Sequence, residues 1–518
     1  MQKKQTILVV ASLLVVILSV TLAYFTAQII GKGKNINVKS NNLQILFDHS
    51  DGNITGTDIT PGWSSTKKFT ITNKSNGTYK YNIVIQNLVN TFVTEGYLQY
   101  KITSTNGGFS TDGYVDVPKS ETATDTILGS ANIEVGVTQT YTVEFIYKND
   151  EDVDQSDDMG KVLSGTIFIA EKEEELLTLY DKILEDNPTR STRSNFNNGT
   201  NDFETPLTAT TTGTLFTSTE SITGITDLPK EVYYYAGNTT NNWVKFGIYQ
   251  TDDPYYDRWS AGDDIYWRII RTNHDSSIRL LYVGASHDTT SSNIEQIEFN
   301  TSSDSPKYVG YKYGEDTSLD TIRNNTTDST IKEVIDTWYQ NYLTNYTKYL
   351  STSAVYCNDR NLASGATYST SSDFIYASYN RLSTNKAPTY NCTDIRDAFS
   401  VDNTSAKLNY PVALMTADEI IFAGGTAWYA RMSTPYAWFI SNSVGTQASS
   451  EWWSLSPIYW DPNGARIFKW LSDNLSETVV DGGGDVRPVI SLKSCVKTSG
   501  GNGTSSNPYT IQETTSGC

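Results

Sequence analysis

The chain has 518 residues, too many for one hydrophobic core and enough for two or three domains. Its 58 acidic against 39 basic residues leave a net charge of −19, which excludes nucleic acid and anionic lipid as partners held by charge. With 34 Tyr and 11 Trp beside abundant Thr, Ser and Asn, the composition favours strands joined by turns, so a β-rich chain is expected.

Lys3 and Lys4 precede an apolar run from Ile7 to Phe25, ILVVASLLVVILSVTLAYF, without charge or proline. As a helix this run spans roughly 28 Å, close to the hydrocarbon thickness of a bilayer. The lysines then stay cytoplasmic and the rest is exported. The run is longer than the roughly 7–15 apolar residues of an ordinary signal-peptide core. It has no A-x-A, and Thr21 and Ala23 suit only a peptidase that tolerates Thr before the cut. Residues 1–34 are therefore expected as a signal or transmembrane helix, cleaved or retained. The expected location is the cell membrane, exported face, or the secreted and cell-surface space if the segment is removed.

Residues 35–170 carry strand patterns at ILF (45–47), KKFTITN (67–73), YKYNIVIQN (79–87), YLQYKI (97–102), TYTVEFIY (140–147) and SGTIFIA (164–170), with turn residues between them. That spacing predicts an antiparallel β-sandwich. The acidic run DEDVDQSDD (150–158) has alternating carboxylates, but Gln155 stands where a calcium loop needs glycine, so a solvated loop is expected. Over 171–230 a short helix is predicted at Glu171–Glu185, with Leu176, Leu177, Tyr180, Ile183 and Leu184 at helical spacing and Pro188 ending it. The Thr/Ser/Asn/Gly-rich remainder reads as a linker.

The second domain, 231–518, opens with strands VYYYAG (232–237), WVKFGIYQ (243–250), IYWRIIRTN (265–273) and IRLLYVG (278–284). Ser329–Leu350 is predicted helical, capped by Asp328 or Ser329, with an apolar stripe of Ile331, Val334, Ile335, Trp338, Tyr342 and Leu343. A second helix is predicted at Thr416–Ala423, with Thr416 and Glu419 in capping-box spacing and Gly424-Gly425 as the stop. Short strands return at the end, VRPVISL (486–492) among them. The fold class expected is mainly β, with an α+β second domain. The four cysteines allow three connectivities, of which nearest-neighbour pairing, Cys357–Cys392 and Cys495–Cys518, is preferred. There is no C-x-x-C, and His49, His274 and His287 are scattered, so neither a metal nor another cofactor is expected.

The apolar segment ending LAYFTA, followed by PGWSSTKKFTITN, resembles the TasA and camelysin group over about residues 1–170. The resemblance implies an exported β-sandwich protein of Gram-positive bacteria, some members of which build biofilm fibres. The metalloprotease activity described for camelysins is not carried over, because H-E-x-x-H is absent. Further on, NNWVKFG (241–247), YWRIIRTN (266–273), SIRLLYVG (277–284), CNDR (357–360), LMTADEIIFAGG (414–425), WWSLSP (452–457), VRPVISLKS (486–494) and GNGTSSNPYTI (501–511) resemble a family of bacterial surface-protein domains. Their layout is similar to the C-type-lectin-like fold, as in formylglycine-generating enzyme. That likeness implies a β-sandwich followed by a C-type-lectin-like domain, with WWSLSP and VRPVISL bracketing ligand-facing loops. The enzyme's paired pocket cysteines have no counterpart, since Cys495 and Cys518 lie outside those loops.

The interleaved aromatic and polar residues of 459–485 are the predicted recognition surface. The candidate ligand contacts are Trp453, Trp460, Arg466, Trp470 and Asp473, with Tyr436 and Trp438 on the opposite side of the same face. Strand alternation at Trp452-Trp453 is expected to bury one indole and present the other. Arg487, held extended by Pro488, is expected to pair with Asp418 or Glu419 as a structural contact. No catalytic residue is assigned. The leading expectation is a cell-surface recognition or adhesion protein, without catalytic activity, for a protein or glycan of a host cell, phage or neighbouring cell. The membrane is a partner if residues 7–25 are retained. Alternatives are a structural subunit of a fibre or envelope layer, self-assembling through the first domain, and a glycan hydrolase, which needs two carboxylates about 5–9.5 Å apart.

Overall fold

A computed structural model of the chain describes residues 36–37, 43–48, 53–56, 59–74, 77–172, 176–195, 201–207, 212–254, 257–287, 292–428, 430–439 and 451–518. The backbone divides into two units, Met1–Glu175 and Leu176–Cys518.

In the first unit alternating apolar residues build two antiparallel sheets around a shared core. One sheet runs Ile36–Asn37, Leu43–Asp48, Ser64–Asn73, Thr138–Tyr147, Leu98–Ser104, Val115–Asp116. The other runs Asn53–Gly56, Leu163–Glu171, Tyr79–Asn90, Ser120–Ile133. Phe69, Ile71, Ile83, Ile85, Val143, Phe145 and Ile167 are fully buried between them. Buried polar atoms are paired: the Tyr81 hydroxyl meets Gln139 and, at 2.5 Å, the Tyr141 hydroxyl. The acidic run is not solvated throughout. Asp158 turns inward and accepts from the Val93 amide at 2.6 Å and the Tyr147 hydroxyl at 2.8 Å. Burial works to raise its carboxyl, and these donors outweigh burial and hold it low.

In the second unit a ten-stranded sheet centres on Asp264–Thr272, flanked by Lys230–Tyr234, Trp243–Ile248 and Ile278–Gly284. Every residue of Ile278–Gly284 is buried, as a strand covered on both faces requires. A six-stranded sheet runs Glu295–Glu298, Gly483–Val486, Glu451–Asp461, Gly464–Leu471, Leu475–Val479, with Phe374–Ile375 paired to Glu451–Asp461. The chain passes from one sheet to the other at Arg487-Pro488, where proline has no N–H for a ladder. The helix Thr330–Tyr342 is capped by Ser329 and buries Ile331, Ile335, Trp338 and Tyr342 against the large sheet's core. The sequence pattern runs on to Leu350, but the chain tightens to a 3-10 turn over Thr344–Tyr349. The helix predicted from Glu171 is confined to Leu179–Asp186. The segment beyond it contributes strands Thr189–Thr192 and Thr214–Glu220 to the large sheet.

A buried charge network joins these layers. Thr416 and Glu419 form the expected capping box at the start of the helix Ala417–Phe422. The Glu419 carboxylate accepts from Arg271 at 2.7 Å and from Arg279. Arg271 reaches on to Glu220 at 2.9 Å. Asp418 takes two hydrogen bonds from Arg381, each 2.8 Å, and Arg381 also meets Asp359 at 2.7 Å. A cavity of about 20 Å³, room for one water, lies among Glu220, Arg271, Arg279, Asp359, Arg381 and Asp418. Beside it runs the Cys357–Cys392 disulfide, and Cys495–Cys518 closes the C-terminus.

Two expectations need correction. The described residues are mostly β-sheet with a few short helices, none long and apolar enough to cross a membrane. Residues 7–25, on which the expected signal or transmembrane helix falls, lie outside the described residues. No described helix therefore supports the expected membrane, exported-face and cell-surface location, which is withdrawn. The second domain is corrected from α+β and C-type-lectin-like to a mostly β unit. Its longest described helix has 13 residues, and strands from the presumed linker extend its main sheet.

Glu220 is fully buried. Burial raises its carboxyl, but Arg271 and His274 outweigh that and hold it down to about 2 from 4.5. Glu419 is lowered in the same way, with Arg279 and Arg271 overcoming burial. A depressed folded-state value gives stability that is present above the unfolded value and lost as pH falls through the folded one. The second unit is therefore expected to lose stability as pH drops from about 4.5 to about 2, although Asp336, raised by burial, works in the opposite sense. Urea unfolding across this window should show the loss in the wild type and a flatter profile in Glu220→Gln. An unchanged slope in the variant removes Glu220 as its cause. Replacing Cys495 and Cys518 together by serine should cost about 3 kcal/mol, the chain-entropy value for a loop of this length, read as a lower urea midpoint under oxidising conditions.

Candidate functional site

The six-stranded sheet positions an open cleft of about 1230 Å³. Its floor follows from register. Ile375 is opposite Tyr459, Tyr459 opposite Arg466, and Phe468 opposite Glu477, so these side chains share one face. Asp461 lies two residues beyond Tyr459 on the same strand, so it projects from that face too. One wall is the loop 364–373, which brings Tyr368 and Asp373. The other is formed by Tyr379 and Trp428, whose rings meet edge to face at 5.3 Å. Trp428 rests on Phe468 at 5.8 Å.

The polar tips of these rings are mostly engaged. The Tyr368 hydroxyl donates to Asp316. The Trp428 indole N–H donates to Ser476 at 2.8 Å. Tyr459 hydrogen-bonds Glu477, and burial together with that carboxylate pushes its phenol well above its ordinary value, so it stays a donor. Arg466 lies over the Tyr459 ring at 5.3 Å, with its Nε 3.9 Å from Asp461. Tyr368, Tyr379, Trp428 and Tyr459 are half-buried, leaving ring surface in the cleft, while Asp373 is exposed. Trp460 also lines the cleft although only 2% exposed, and its indole N–H has no partner among the described residues.

Of the residues predicted for ligand contact, the structure brings Trp460 to the cleft and Arg466 beside it. Trp453 and Trp470 are fully buried, because Glu451–Asp461 and Gly464–Leu471 are covered on both faces and alternation exposes neither Trp452 nor Trp453. Their surroundings are structural: Trp453 donates to the Ile297 carbonyl at 2.8 Å, and Trp470 packs on Phe439 at 4.9 Å. Tyr436 and Trp438 are buried too, Trp438 donating to the Gly237 carbonyl at 3.0 Å. Asp473 pairs with the exposed Arg431 at 3.1 Å, away from the cleft lining. Arg487 is not the partner of Asp418 or Glu419. It donates to the carbonyls of Trp438 at 2.9 Å and Tyr282 at 3.2 Å, since Arg271, Arg279 and Arg381 already occupy those carboxylates. Burial pulls its guanidinium below the ordinary value, and Asp485 opposes that. Tyr368, Asp373, Tyr379 and Trp428 escape the sequence reading, whereas Tyr459, Asp461 and Glu477 fall within the predicted segment 459–485. The one signal is SGATYSTSSDF (364–374), whose small polar residues around a tyrosine suit an adaptable contact loop. Among the described residues no group of three or more His, Cys, Asp or Glu side chains is placed to hold a metal ion.

No protein-family model matches the chain, and no curated protein matches it. Among solved structures it is similar to a ruminal GH26 endo-beta-1,4-mannanase, with a TM-score of 0.14 and 16% identity over 27% of this chain. The match spans 28% of that enzyme's length. A likeness so slight carries no argument about fold or chemistry. The sheet arrangement does not support the lectin-like architecture, which is set aside; no comparison bears on the adhesion role.

The burial of Trp470 has a measurable consequence. Trp470→Ala should destabilise the chain by about 3–5 kcal/mol through the cavity it leaves, seen as a lower urea midpoint. A variant of wild-type stability places the indole outside the core.

Proposed function

We propose that the second unit is a ligand-recognition unit and that its ligand lies in the cleft of Tyr368, Tyr379, Trp428 and Tyr459. One observation carries this reading: four half-buried aromatic rings and the carboxylates Asp373, Asp461 and Glu477 converge on a single open cleft of about 1230 Å³. Pockets for small molecules typically measure about 300–1,000 Å³ and enclose most of the ligand. A larger, open cleft suits an extended molecule that lies across it. Rigid aromatic anchors ringed by polar groups are where binding energy concentrates. The floor is backed by buried strands, so the rings are held in place before binding, which lowers the entropic cost of association.

The test is calorimetric titration of the whole chain against soluble polymers of different chemistry. For any ligand found, Trp428→Ala should weaken binding more than about 10-fold, the loss expected of a hot-spot aromatic. Arg431→Ala, outside the cleft, should leave affinity unchanged. A ligand whose affinity is indifferent to Trp428 does not occupy the cleft. The bound molecule should be recovered intact; fragments that cease to form in Glu477→Gln replace recognition with cleavage.

A further inference from the structure

We infer that the cleft is built for a neutral, hydroxyl-rich chain, an oligosaccharide, rather than for a peptide or an anionic polymer; this rests on the cleft being the binding site.

The argument is one of donors and acceptors. Asp373, Asp461 and Glu477 are the charged groups that line the cleft, and an ionised carboxylate only accepts hydrogen bonds. The aromatic tips that could donate are mostly committed: Tyr368 to Asp316, Tyr459 to Glu477, and Trp428 to Ser476 at 2.8 Å. The cleft therefore offers ring faces, three carboxylate acceptors and the hydroxyls of Ser364, Thr367, Ser369, Ser372 and Tyr379, which donate as well as accept, so its ligand must bring donors for the carboxylates. A proline-rich peptide, the usual extended ligand of an aromatic groove, brings carbonyl acceptors and few N–H groups. It would meet carboxylates with nothing to give them. Phosphate and uronate polymers bring acceptors and negative charge into a cleft of three carboxylates on a chain of net charge −19. A sugar hydroxyl both donates and accepts. It satisfies the carboxylates, and it can also accept from the hydroxyls of the loop 364–372. The apolar faces of sugar rings cover the exposed surfaces of Tyr379, Trp428 and Tyr459, an amphipathic match to side chains with apolar bodies. The cleft's size calls for several sugar units, not one.

The experiment applies the whole chain to an array of neutral, amino and uronic-acid oligosaccharides, with a proline decapeptide alongside, and follows each hit by calorimetry. The expected result is binding to neutral oligosaccharides, stronger with chain length. Asp373→Asn should weaken that binding about 5- to 10-fold by removing a charged acceptor. Asp373 is exposed, so this variant should fold even if Trp428→Ala does not. Binding confined to uronic-acid chains or to the decapeptide, and abolished by Trp428→Ala, overturns the oligosaccharide assignment while the cleft stands. Neutral-sugar binding unchanged by both variants overturns the cleft itself. No neutral oligosaccharide bound on the array overturns the inference.

Discussion

The second unit is organised around two neighbouring carboxylates on one short helix. Asp418 and Glu419 start the helix Ala417–Phe422, and each is buried against guanidinium groups from other layers. Glu419 binds Arg271 and Arg279 of the central strands, and Arg271 passes the charge on to Glu220 at the sheet's edge side. Removing such groups from water costs several kcal/mol each, and their attraction recovers it only in good geometry. The network's consequence for the cleft is direct. Asp359 and Arg381 stand on either side of the cleft loop 364–379 and close it by an ion pair of 2.7 Å, which Asp418 then fixes to the helix. Asp397 performs the same service on the next stretch, accepting from Arg360 at 2.7 Å and Arg323 at 2.8 Å. The Cys357–Cys392 bridge spans that stretch covalently. A loop of serines, threonines and glycine can therefore keep a defined wall because its base is clamped.

What could be read from the sequence depended on whether a local rule acted alone. The capping box of Thr416 and Glu419 was legible because its donors and acceptors are three residues apart. The strand Ile278–Gly284 was legible because Ile278, Leu280, Leu281, Tyr282 and Val283 put apolar side chains on both of its faces, as a doubly covered position requires. The strand Ser120–Ile133 was missed. It lies at the edge of its sheet with most side chains in water, so its Thr, Ser and Asp residues carry no apolar alternation. The helix from Ser329 was overextended because its aromatic residues continue at helical spacing. Tyr346 and Tyr349 are buried from a 3-10 turn instead, packed on Phe246 at 5.3 and 5.8 Å.

The site was less legible than the fold, for a related reason. Tryptophan density in 452–470 marks a place where side chains matter, but burial decides in which sense. A strand with one open face presents every second indole, whereas Glu451–Asp461 is covered on both faces until Tyr459. The cleft begins where that cover ends, so Tyr459 and Asp461 face it and Trp453 does not. Its other half comes from the loop 364–379 and from Trp428, which are distant in sequence and joined only through sheet pairing and the ion pairs at the loop's base. No linear spacing records such a meeting. Arg487 shows the same limit. Its extended backbone was foreseeable from its place before Pro488, but its carbonyl partners were not, because three other arginines occupy the two acids expected to hold it.

Electrostatics connects the interior to the choice of ligand. Among the described residues the buried cations, Arg193, Arg268, Arg271, Arg279, Arg323, Lys332, Arg360, Lys469 and Arg487, are nearly matched in number by buried carboxylates. The interior is close to neutral, so the negative charge of the chain is borne outside it. Many of the arginines are thereby spent on internal carboxylates and carbonyls. Guanidinium groups are the residues best suited to grip phosphate or carboxylate, through paired N–H donors. A surface depleted of them and rich in acid repels anions at a distance and has little to hold them with on contact. Arg466, beside the cleft, lies over Tyr459 and toward Asp461, which turns it to positioning a ring rather than to receiving a ligand's charge. The folding of this unit thus bears on its recognition chemistry: guanidinium groups drawn inside to fix helix and loop are not available at the cleft, which is left with ring faces, carboxylates and hydroxyls.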